Sequence, residues 1–273
     1  MLKHKYIFCP QKNIKSSCEQ KKTCVLSEKK FYLRAKAKLA FTLAEVLITL
    51  GIIGVVSAMT LPTLMSTISK KEIESRLKED FSILAQINRR MIAEEADMNP
   101  MVADSNRPAL NQWFNDYILQ YMNVARVCYE PTTGCWPSSS RTRMLNGSFY
   151  TDCKLGYGCG GDIVSFILKN GSMVTVDIGN NEQLRTIFGV DSTAESCVKM
   201  YIDVNGDKRP NKFGIDVFLV TMTEDGFVPA GISRTKEQIN SDCSPSGNGY
   251  WCLTLIKNSG WTIPDKIWKT RNR

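Results

Sequence analysis

Lys38-Leu39-Ala40-Phe41-Thr42-Leu43-Ala44-Glu45-Val46 opens a run in which Glu45 is the only charged residue before Lys70. From Val46 to Leu64 the run is apolar and long enough to cross a bilayer as a helix of roughly 20 residues. A carboxylate inside such a segment is costly, about 2.5–3.5 kcal/mol at the helix centre, and normally has a partner and a purpose. Glu45 sits near the start of the span, where the cost is lower.

These residues resemble the class III signal of type IV pilins and type II secretion pseudopilins, in which basic residues and a small residue precede Phe-Thr-Leu-x-Glu and an apolar helix. Ala40, Phe41, Thr42, Leu43 and Glu45 fill those places, and Gly54 and Pro62 fall where the family often has Gly and Pro. The match covers about the first third of the chain. One departure is Ala40, where the family usually has Gly; alanine is the next smallest side chain. The resemblance implies cleavage between Ala40 and Phe41 by a prepilin peptidase, methylation of the new amine, and assembly with other pilin subunits through the N-terminal helix, with Glu45 as the assembly residue.

Two other readings use the same residues. A Sec-type signal also has a basic start, an apolar core and small residues before its cut, and Val56-Ser57-Ala58 would serve, leaving Met59 as the new N-terminus. Against it, Glu45 interrupts the apolar core. An uncleaved single-pass anchor leaves Glu45 without a partner.

Eleven of the 35 Lys/Arg and only two of the 27 Asp/Glu fall in residues 1–40, so the overall charge of +8 belongs to that segment. The basic balance is therefore no argument for nucleic acid. By the positive-inside rule it keeps 1–40 cytoplasmic and sends the chain beyond Ser69 across the inner membrane. The organisation expected is a basic leader over 1–40, the membrane half of a helix over 41–69, and one exported domain over 70–273. His4, Cys9, Cys18 and Cys24 lack the Cys-x-x-Cys spacing of a zinc knuckle, and a solvated tail is the simpler reading.

Past the membrane segment, Ile73, Leu77, Phe81, Leu84, Ile87 and Met91 recur every three or four residues, so the helix continues as an amphipathic one to about Ala96. Pro62, with Gly51 and Gly54 before it, predicts a kink or local melting. A second helix is predicted after Asn106, with Pro108 in its first turn and a face of Leu110, Phe114, Tyr117, Ile118, Tyr121 and Met122. Beyond Cys128 the pattern is β. Strands are predicted over 163–169 and 172–178, about a two-residue Asn170-Gly171 hairpin, and over 200–204 and 215–221. The fold class is α+β: a pilin-like long helix packed on a small antiparallel sheet, its apolar face covered by the Ile73 to Met91 stripe.

Seven cysteines follow the span. In an oxidising compartment the close spacings make Cys128 and Cys135, Cys153 and Cys159, and Cys243 and Cys252 candidate disulfide pairs, leaving Cys197 over. Spacing alone does not settle the connectivity.

Asp203, Asn205, Asp207, Asn211 and Asp216 place carboxylate and amide oxygens along one turn-rich stretch, as Ca²⁺ prefers. An EF-hand it is not, since Lys208 and Gly214 stand at that loop's sixth and twelfth places. The block resembles the Asp-x-Asn-Gly…Pro-Asn…Gly-x-Asp-x-Phe segment of major-pseudopilin-like proteins, some of which bind calcium near it. Asn205-Gly206 also specifies a turn without any ion.

The only histidine is His4, so no histidine-based acid–base pair or triad is available beyond the span, and an enzyme is not expected. Trp113, Trp136, Trp251, Trp261 and Trp268 are candidates for a glycan- or partner-binding patch, but scattered aromatics are more often packing. The expectation is a structural subunit of a type IV pilus or type II secretion pseudopilus. The alternative is an exported calcium- or glycan-binding domain on an uncleaved anchor, or released by a Sec-type cut.

Overall fold

A computed structural model describes residues 41–95, 107–129, 134–137, 141–151, 155, 163–193, 196–223 and 226–272. The basic leader with Ala40, the His4/Cys9/Cys18/Cys24 group, and Cys153 and Cys159 lie outside the described residues. The chain divides into two units, residues 1–53 and 54–273.

Helix α1 spans Leu43–Ala93. Its first half exposes nearly every large apolar side chain from Leu43 to Ile68. It is the one helix among the described residues long and apolar enough to cross a membrane. The hydroxyls of Thr49, Thr60, Thr67 and Ser69 donate back to carbonyls three or four residues earlier, so they are satisfied within the helix, as a lipid environment demands. Helical structure runs through Pro62 without a break, contrary to the local melting expected there. Only the bond that the missing N–H would have donated is lost, and the turns on either side remain closed.

The second half of α1 buries Ile73, Leu77, Leu84, Ile87 and Met91, as the spacing predicts. They pack on a six-stranded sheet in which each strand pairs antiparallel with the next: β1 (Val124–Cys128), β2 (Ile163–Leu168), β3 (Met173–Asn180), β4 (Ser196–Asp203), β5 (Val217–Thr223) and β6 (Gly226–Pro229). In register, Met200 lies opposite Val176 and Val220, and Ile202 opposite Val174 and Phe218, which puts one apolar row under α1. The long helix on an antiparallel sheet is the α+β architecture expected. Two strands are additional, β1 and β6, and β4 begins earlier than its apolar stretch because Lys199 is part of it. Lys199 is almost fully buried and pairs with Asp177 directly across the sheet at 2.6 Å.

That pair lies on the face away from α1, and this second face is covered too. Helix α3 (Asn181–Thr186) and a cluster including Trp136, Tyr150, Phe188, Tyr201 and Phe213 bury it. On the α1 side, helix α2 (Arg107–Trp113) runs into a π-helical turn, Phe114–Leu119, which buries Phe114 and Ile118. After the sheet come α4 (Lys236–Asp242), α5 (Cys252–Asn258) and α6 (Asp265–Trp268), none of them anticipated. Helix α5 buries Leu253 and Ile256 in the same core as α1.

The predicted hairpin forms with three loop residues, Lys169 to Gly171, instead of two. Leu168 N donates to Ser172 O and Gly171 N to Leu168 O, both at 2.9 Å. Gly171 takes a left-handed φ of +91°, as expected where a type I turn ends in a bulge. The geometry lets this turn reach α1: Asn170 Nδ2 and Ser172 Oγ each donate to the Asp80 carboxylate at 2.7 Å, and Arg76 Nη1 donates to Asn170 O at 3.0 Å. Burial pushes the Asp80 carboxyl up to about 6, against the hydrogen bonds that favour its charged form. A folded pKa above the unfolded one means that stability from this group falls as pH rises from about 4 to about 6. Asp80→Asn should flatten that segment of the urea-stability profile, whereas Asp80→Ala should cost about 1–3 kcal/mol by orphaning two donors.

Candidate functional site

At the start of α1, Phe41 is 84% exposed, and Thr42 and Glu45 form a reciprocal cap. Glu45 Oε2 accepts from Thr42 N at 2.8 Å and from Thr42 Oγ1 at 2.9 Å, while Thr42 Oγ1 accepts from Glu45 N at 3.2 Å. This is a capping box, and Thr-x-x-Glu is its sequence signature. It corrects one expectation: even in an isolated chain Glu45 has a partner, within its own first turn. The carboxylate stays at the exposed end of the helix, where the N-terminal dipole also favours it.

The second candidate is the connection between β4 and β5, residues 204–216. Asp203 and Asp216 are both fully buried. Asp216 is saturated by donors: Oδ1 accepts from Lys212 N at 2.6 Å, and Oδ2 accepts from Asn211 N at 2.9 Å and Asn205 Nδ2 at 3.0 Å. Asp203 Oδ1 accepts from Asn205 N at 3.2 Å, but Asp203 Oδ2 and Asn205 Oδ1 are buried with no hydrogen-bond partner. Asn211 is buried with a left-handed φ of +54°, and Asp207 is exposed at the rim. Among the described residues no three of His, Cys, Asp and Glu come together as a metal-holding group. Gly206 has φ +67°, and a Cβ there would stand 2.7 Å from Gly171 O, so the loop presses on the hairpin turn that holds α1.

Burial pushes both carboxyls up, Asp216 to about 7 and Asp203 well above the usual range, and the charge of Asp216 adds to the effect on Asp203. Two buried acids in one loop need either a proton or a cation. The orphaned oxygens of Asp203 and Asn205 are hard ligands and fit Ca²⁺, with Asp216 fixing the loop around them; backbone carbonyls would have to complete six to eight ligands. Without a cation, the raised pKa values mean that stability falls as pH climbs from about 4 through 7. Calcium competes with that proton. Added Ca²⁺ should therefore stabilise the fold at pH 8 by up to about 2.7 kcal/mol at a hundredfold excess over its dissociation constant, read as a higher melting temperature, and do nothing at pH 5. Asp203→Asn should abolish the difference, and an unchanged melting curve at pH 8 would leave the loop as turn chemistry alone.

Among the described residues two candidate disulfides are present, Cys128–Cys135 and Cys243–Cys252, and Cys197 is free and buried. The tryptophans do not form one platform. Trp113 and Trp268 are buried on the α1 side and Trp136 on the other face, where Trp251 packs with its Nε1 donating to Ile187 O at 3.0 Å. Trp261 stacks against Phe81 of α1 with centroids 5.6 Å apart.

Comparison with family models, with curated proteins and with solved structures gives no match.

Proposed function

We propose that this chain is a pilin-like structural subunit of a type IV pilus or type II secretion pseudopilus, made as a single-pass precursor with residues 70–273 outside the cytoplasm. In this reading a prepilin peptidase cuts between Ala40 and Phe41, and subunits polymerise through α1. The observation that carries it is the double character of that helix. Its first half exposes apolar side chains on all sides with one acid, while its second half packs on a sheet. A lone soluble domain would have no use for the first half. The long helix on an antiparallel sheet is compatible with a pilin-like fold, and the Phe41-Thr-Leu-x-Glu45 resemblance supplies the finer identity.

The alternative, an exported calcium-binding domain on an uncleaved anchor, draws on Asp203 and Asn205. Intact-mass and N-terminal analysis of membrane-extracted protein separates the readings. Methylated Phe41 is the expected terminus. Met1 retained would favour the anchor, and Met59 would overturn the pilin reading.

A further inference from the structure

The C-terminal strap, Asp265 to Asn272, lies along α1 at the point where its lipid-like surface ends. Large exposed apolar side chains on α1 continue to Ile68 and do not recur until Ile92. Trp268 Nε1 and Arg271 Nη1 both donate to Ser66 Oγ at 2.9 Å, and the Arg271 guanidinium lies 4.8 Å over the Trp268 ring. Ser66 precedes Ile68 by two residues, about 3 Å along the helix, so the strap overlaps the apolar surface instead of stopping above it. Lys70 pairs with Asp265 at 2.5 Å one turn further out, Glu74 Oε1 accepts from Ile263 N at 2.8 Å, and the buried Lys212 Nζ donates to Thr270 O at 2.8 Å. The strap is thus fixed at three levels, with its position relative to the apolar boundary set by the packing.

Its outward charges are turned to solvent. Among the described residues the exposed ammonium groups of Lys266 and Lys269 make no hydrogen bond or close ion pair, although, beside the Lys70 hydrogen bond, Lys269 adds to the positive field that holds the Asp265 carboxyl below its usual range, and Arg271 uses one nitrogen on Ser66. We propose that this strap is a headgroup clamp: Arg271, Lys266 and Lys269 bind the phosphates of anionic phospholipid and seat the globular domain on the bilayer from which α1 emerges. A guanidinium at the boundary presents paired donors to a phosphate, and the two ammonium groups add a local positive field. The clamp rests on the reading of α1 as a membrane span.

The full chain, reconstituted in phosphatidylcholine vesicles with and without phosphatidylglycerol, tests it by amide hydrogen exchange over residues 261–272. Anionic lipid should slow exchange there, and the protection should weaken with salt. Lys266→Gln with Lys269→Gln, which touches no packed contact, should reduce the effect about fivefold per charge removed, while Lys236→Gln on α4 should not. Equal exchange in both lipids, in protein that resists alkaline carbonate extraction, would overturn the clamp alone. Protein extracted by carbonate would overturn the span and the clamp with it. Protection that follows protein density and not lipid charge would assign the strap to a second copy of the chain and overturn the lipid proposal.

Discussion

Glu45→Gln should leave membrane insertion intact and reduce fibre assembly by up to roughly a hundredfold. Cleavage after Ala40 would create an amine on Phe41 at the membrane boundary, and the Glu45 carboxylate of a neighbouring subunit is its natural counter-charge. Removing one member leaves the other charge unpaired; the helix-centre cost of about 2.5–3.5 kcal/mol is the ceiling for a group at the boundary, which sets the upper limit of the factor. The cap at the start of α1 makes the choice of variant important. Gln still supplies an oxygen to Thr42 N, so Glu45→Gln removes charge and keeps the capping box, whereas Thr42→Val weakens the cap by about 1 kcal/mol and keeps the charge. Membrane fractionation and shearing of fibres should show Glu45→Gln inserted but unassembled, and Thr42→Val assembled. The opposite pattern would reduce Glu45 to a capping residue. Ala40→Glu should accumulate uncut precursor, since the small residue before the cut is lost.

Loss of both observed disulfides should destabilise the globular domain by about 5 kcal/mol, from roughly 2.5 kcal/mol for each short loop in the chain-entropy account. The loops span 7 and 9 residues in sequence. Cys243 and Cys252 are both fully buried, so native protein should resist reductant until it opens. Two bridges take four of the seven cysteines beyond the span, so thiol counting on unreduced, denatured protein should find at most three, Cys197 among them. Seven free thiols would place this domain in a reducing compartment and remove the export reading. Cys252→Ala with Cys243→Ala should be the more damaging double variant, because α5 carries Cys252 into the core beside Leu253 and Ile256.

Which parts of this structure were legible in the chain follows from the range of the forces involved. The stripe from Ile73 to Met91 was readable because helical periodicity is local. The burial of Asp80, one residue from Phe81, is not legible locally because its partners Asn170 and Ser172 lie 90 and 92 residues away. Lys199 stands just outside the strand predicted over 200–204 and belongs to β4. Its burial depends on Asp177, which only the register of β3 and β4 places opposite. Some misses had signals: Asn180 with Gln183 opens α3 and Thr235 with Gln238 opens α4, each as a capping box readable from four residues. Thr42 and Glu45 carry the same signature at the start of α1.

Composition and short-range pattern by themselves determined the apolar half of α1, its amphipathic continuation and the four central strands, because each depends on residues within a turn or a strand; close spacing made the cysteine pairs candidates without settling them. Tertiary structure decided that the sheet has six strands and two covered faces, that Asp203 and Asn205 present orphaned oxygens while Asp216 is filled by backbone donors, and that the C-terminus returns to Ser66. Those outcomes depend on side chains brought together across long stretches of chain, where burial converts an ordinary polar residue into one that must find a partner.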